Sequence, residues 1–174
     1  MEIQGLPAHP LLVHGPVVLI PLGALLGIVL VVRRQWRVTV GPWLVLLAVV
    51  TFVLTFLAAQ TGEELQANVR DTELVRQHAE LGGALRPIAL ALLLVIVMLV
   101  APAWAHARGG PGALVRLAHS KLWNIVTVVL VVAISLLATY WVIQTGHSGA
   151  DAVWLVRRQC DGGRHGSGPG RHRH

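Results

Sequence analysis

The sequence predicts an all-α, polytopic membrane protein whose four transmembrane helices form one antiparallel bundle. Three observations predict it: a composition too apolar for water, four uninterrupted apolar runs of bilayer length, and basic residues gathered in alternate loops. Of the 174 residues, 55% are hydrophobic and 13% are charged, against roughly a quarter charged in soluble domains. A chain of this length holds one domain rather than two. The formal charge of +6 is spread over short loops and the C-terminal tail, so it reads as membrane topology, and no nucleic-acid partner is expected. Cys160 is the single cysteine, which excludes an intramolecular disulfide and a CxxC redox pair.

A helix needs about 20 apolar residues to cross ~30 Å of hydrocarbon. The first span is expected over residues 11–32, with His14 as its ionisable residue, and the second over 38–60. Pro87 to Ala105 forms the core of the third, which extends backwards as helix through Ala79 to Arg86, with the span at about 83–105, and the fourth covers 122–143. The runs are continuous rather than alternating, which sets a β-barrel aside. The first run lacks a basic segment before it and a small-residue cleavage site after it, and Arg33 and Arg34 follow directly, so it reads as a span and not as a signal peptide. Residues 1–154 therefore make the transmembrane domain, and 155–174 a basic tail. Past Asp161 that tail is GGRHGSGPGRHRH, which has nothing to bury and is expected to be disordered.

Orientation follows from the loops, since Lys and Arg beside spans stay in the cytoplasm. Arg33, Arg34 and Arg37 occupy the first loop and Arg108, Arg116 and Lys121 the third, with no acid in either. The second loop carries Glu63, Glu64, Asp71, Glu73 and Glu80. The expected protein thus sits in the cytoplasmic membrane with both termini outside, although the arginines of the tail oppose this placement. Trp36, Trp43, Trp104 and Trp123 fall at the inner ends of spans and Trp141 at an outer end, the headgroup positions that indole rings prefer. Small and hydroxylic residues mark the expected contact faces. These are Gly23 and Gly27 on the first span, Thr51, Thr55, Ala58, Ala59 and Gly62 on the second, and Asn124, Thr127, Ser135 and Thr139 on the fourth. Pro16 and Pro21 are expected to kink the first helix or delay its regular start.

Drawing four spans brings His9, His14, His78 and His147 to one face of the membrane. His106 and His119 belong to the other, because His119 and His147 are separated by about 42 Å of helix at ~1.5 Å per residue. Ionisable groups at a membrane are candidate functional residues, and imidazoles presented from two helices can ligate haem iron. His14 and His78 are the first candidates to hold a b-type haem, followed by His147 and His9, with Arg86 two turns inside His78 to pair a propionate. The same histidines could instead bind zinc or copper with Glu63, Glu64 or Glu80. The plainer reading is that they hydrogen-bond among the headgroups while Arg86 snorkels, in a structural or accessory subunit without a cofactor. Partners beyond the lipid bilayer would be a membrane redox complex or a second copy of the chain. No phosphate-cradling glycine loop, HExxH motif or nucleophile elbow is present, so no catalytic residue is assigned.

Several motifs resemble those of a known family. The opening GLPAHPLLVHGPVVLIPLG, residues 5–23, is similar to the start of the bacterial predicted membrane proteins known as domain of unknown function 2231. TGEEL at 61–65, HAELG at 78–82 and TGHSGADAVW at 145–154 resemble that family's later motifs in the same order. The resemblance covers about residues 5–154 and implies a four-helix membrane domain with histidines near helix ends. It implies no activity. Gly15 departs from the pattern, standing where an aromatic residue is common.

Overall fold

The computed structural model describes residues 2–3, 6–7, 12–67 and 72–165, with side chains described over 12–67 and 72–150. Two short strands, β1 (Glu2–Ile3) and β2 (Leu6–Pro7), pair antiparallel near the N-terminus. The helices among the described residues are α1 (His14–Val32), α2 (Trp36–Thr39), α3 (Gly41–Gln66), α4 (Glu73–Ala107), α5 (Gly112–His119) and α6 (Lys121–His165). Four of them, α1, α3, α4 and α6 through Ala150, are long and apolar enough to cross a membrane. They correspond one to one with the four expected spans.

Sequence chemistry accounts for the helix ends. Pro16 occupies the first turn of α1, where no intrahelical N–H is needed, while Pro21 lies inside the helix, which runs on through it. Pro42 stands in the first turn of α3. Thr72 caps α4, its hydroxyl accepting from the Val75 N–H at 3.3 Å. Gly109, at φ 64°, turns the chain after α4. α4 begins at Glu73, well before the apolar run, and α6 continues to His165, past the residue at which the sequence starts the tail. Residues 166–174 lie outside the described ones.

α1 packs on α3 and α6, and α4 packs on α3 and α6, while α1 and α4 stand diagonally with little direct contact. The bundle therefore closes as α1, α3, α4, α6. Its centre holds Ile20, Leu30, Leu44, Ile96 and Val131. The buried faces also carry the small and hydroxylic residues: Gly23 and Gly27 of α1, Thr51, Thr55, Ala58 and Thr61 of α3, and Thr127, Ser135 and Ala138 of α6. Of the residues expected on those faces, Ala59, Gly62, Asn124 and Thr139 are half-buried. Thr51 and Thr55 each donate to the carbonyl four residues back, at 2.7 Å. The hydroxyls of Thr127 and Ser135 are buried without a partner among the described residues, and Ser135 lies against Gly27.

Large apolar residues point outward instead. Val18 is 61% exposed, Leu25 59%, Leu94 53% and Leu136 62%. Such a surface, continuous along all four helices, would aggregate in water and is stable only against lipid tails. Trp36, Trp43 and Trp104 are exposed. Trp141 instead turns partly inward and donates its indole N–H to the Leu81 carbonyl at 3.2 Å.

Candidate functional site

The two ends of the bundle differ in chemistry. One end, here the histidine end, holds the start of α1, the end of α3, the start of α4 and the part of α6 around His147. The opposite basic end holds α2, α5 and the turns beside them.

At the histidine end, three interhelical bonds join the motifs. His78, half-buried on the first turns of α4, has Nδ1 3.1 Å from the Ser148 hydroxyl of α6. That hydroxyl donates its proton to the Thr145 carbonyl at 2.9 Å, so towards His78 it accepts. With that hydroxyl committed to Thr145, Nδ1 is the donor in this pair. Gly149 makes this approach possible, because a Cβ there would stand 3.0 Å from His78 Cε1. One turn from His78 along α4 and two turns from Ser148 along α6, Leu81 accepts from Trp141 as described. Across the other interface, Glu63 of α3 pairs with Arg86 of α4, whose guanidinium also lies 5.9 Å from the Phe56 ring centroid. HAELG thus meets TGHSG, and TGEEL meets Arg86.

The sequence-derived candidates are placed as follows. His14 begins α1 and His147 lies on α6, both exposed. His14 and His78 stand on the diagonal helices of the bundle. Arg86 has one guanidinium nitrogen on Glu63 and its Nε buried without a partner among the described residues. His9 lies outside the described residues. Glu64 and Glu80 are exposed. Among the described residues no group of three or more His, Cys, Asp or Glu converges to hold a metal ion.

At the basic end, the structure brings together residues that sequence reasoning kept apart. Arg37, expected as one of three loop cations, is only 6% exposed. Its Nε donates to the Leu30 carbonyl at 3.0 Å, its NH2 to the Val31 carbonyl at 3.4 Å and its NH1 to Asn124 Oδ1 at 3.3 Å. It therefore closes the C-terminal end of α1, where carbonyls lack helical partners, and ties that end to α6. Burial, and then the charge of Arg34, lower its pKa from the ordinary value, yet guanidinium stays charged in proteins. The Asn124 amide donates to the carbonyls of Ala118 and Ser120 at 3.1 and 3.0 Å. A polar Asn near the head of an apolar run was the sequence signal for this junction. The same end holds His106 and His119 with ring centroids 4.7 Å apart, edge to face.

The family described as "Predicted membrane protein (DUF2231)" matches residues 5–160 of the chain. No curated protein and no solved structure matches it.

Proposed function

The chain belongs to the DUF2231 family of predicted membrane proteins, and from that premise we propose that this integral membrane protein is a structural or accessory module, not an enzyme. The observation that carries this reading is the mutual use of the motif residues. Glu63 with Arg86, and His78 with Ser148, join neighbouring helices at one rim. A module of this kind acts by presenting a fixed helical surface within a larger membrane assembly. By the charge of its loops, the basic end faces the cytoplasm and the histidine end faces outward.

A second reading rests on His78 itself. The Ser148 hydroxyl beside Nδ1 holds the ring in place, as a neighbouring acceptor does for an imidazole ligand. If a b-type haem binds, His78 with His14 or His147 would be the residues to hold it, and it would supply electron-transfer chemistry at that rim. Arg86 would exchange Glu63 for a propionate.

An absorption spectrum and elemental analysis of the detergent-purified chain separate the two. The accessory reading expects no Soret band, no stoichiometric metal, and co-purification with a larger membrane complex. For Ser148→Ala it expects a loss of about 0.5–1.5 kcal/mol in thermal unfolding, the scale of one interhelical hydrogen bond. A Soret band that shifts on reduction and disappears in His78→Ala would overturn it in favour of haem. Metal held in stoichiometric amount by a colourless protein would overturn it in favour of a non-haem site.

A further inference from the structure

The basic end carries a cavity of about 600 Å3 lined by Arg34, His119, Lys121 and Asn124, with Ile125 and Val129 among the residues continuing its wall down α6. Three features of this cavity bear on its occupant. Two cations reach it from different parts of the chain, Arg34 from the turn after α1 and Lys121 from the start of α6. None of the residues lining it is acidic. The wall below the cations is apolar and turned outward, with Ile125 52% and Val129 59% exposed. Asn124 is already committed to Arg37 and to the carbonyls of Ala118 and Ser120, which leaves recognition to the charged residues.

We propose that this cavity seats the headgroup of an anionic phospholipid, with the phosphate between Arg34 and Lys121 and an acyl chain along Ile125 and Val129. The cations lie at the level where a span leaves the hydrocarbon, which is where a lipid phosphate lies. A soluble anion would satisfy the rim alone. The apolar wall adds a requirement that only an amphiphile meets. Basic pockets at helix ends recognise anionic headgroups in this way, and such lipids are concentrated in the cytoplasmic leaflet. His119, its ring set edge to face with that of His106, supplies a further hydrogen-bonding group at the rim.

The test is a lipid titration of the full chain in detergent, read by native mass spectrometry. Phosphatidylglycerol, phosphatidylcholine with the same acyl chains, and glycerol phosphate are compared. The proposal expects phosphatidylglycerol to be preferred over phosphatidylcholine by roughly tenfold or more, on the scale of two basic groups near a membrane surface. The preference should vanish in an Arg34→Gln, Lys121→Gln double variant. It should survive in an Arg108→Gln, Arg116→Gln double variant, which removes the same charge from the same end but away from the cavity. Val129→Asp, which keeps both cations and spoils the wall, should weaken phosphatidylglycerol binding. Equal losses in the two double variants would reduce the effect to net charge and overturn the proposal. Glycerol phosphate binding as tightly as the lipid would overturn it too, since the wall would then contribute nothing.

Discussion

Arg37→Ala should destabilise the bundle by roughly 2–4 kcal/mol, the most that any single side chain outside the apolar core is expected to contribute. The guanidinium is buried and makes three hydrogen bonds, two to carbonyls at the end of α1 and one to Asn124 of α6. Hydrogen bonds to charged groups contribute about 1.5–3 kcal/mol each when short, and two of these are long, which keeps the sum moderate. Alanine would leave Leu30 O, Val31 O and Asn124 Oδ1 without this donor. In thermal unfolding in detergent the melting temperature should fall by roughly 5–15 °C. Arg37→Lys keeps the charge and loses the planar fork, so it should fall between the two. A double-mutant cycle with Asn124→Ala should show coupling, because both residues serve one junction. If Arg37→Ala melts with the native protein, the junction does not hold α1 to α6.

Gly41→Ala is the second large effect, with an expected loss of about 1–3 kcal/mol from overpacking. Gly41 starts α3 where that helix crosses α4, and a Cβ there would stand 2.7 and 3.0 Å from the two methyl carbons of Val100. Val100 is itself 3% exposed within the core, so it has little room to move. Gly41→Leu should exceed Gly41→Ala. Val100→Ala alone should also destabilise, by opening a small cavity, yet combined with Gly41→Ala it should recover part of the loss. An additive double variant, measured by the same unfolding experiment, would show that the two side chains do not compete for one space.

The spans were legible because bilayer thickness imposes a length that any continuous apolar run reveals. Their full extents were not. Backbone hydrogen bonding continues past the hydrocarbon, so α4 begins at its Thr72 cap and α6 runs to His165, in polar sequence that reads as loop and tail. The short helices α2 and α5 are not legible for a different reason, being too brief for any periodicity to appear. Inward faces followed from small residues, and Thr51, Thr55, Thr127 and Ser135 are buried as their spacing suggests. Gly15, set where an aromatic residue is common in the family it resembles, packs against Leu54, since a Cβ there would meet the Leu54 side chain at 2.9 Å.

At the rims, sequence could assign residues to an end but not choose their partners. Counting spans puts His9, His14, His78 and His147 at one end, an expectation of which His9 lies outside the described residues. Which residue His78 meets depends on the rotation of α6, which sets Ser148 towards it. Arg33, Arg34 and Arg37 look alike in sequence. Only the α2 turn separates them, turning Arg37 into the bundle and leaving Arg33 and Arg34 outside. Charge bookkeeping counts all three as topology signals, whereas one of them is an interior strut.

Site-directed labelling with a membrane-impermeant thiol reagent tests the common frame of these readings most directly. In a Cys160→Ser background, single cysteines at Thr72 and His147 report the histidine end, and one at Lys121 reports the basic end. In intact cells Thr72→Cys and His147→Cys should react together, from outside, and Lys121→Cys should react only once the membrane is opened. If the Thr72 and His147 positions are labelled from opposite sides, α4 and α6 do not meet at one rim in the membrane and the four-span bundle is contradicted.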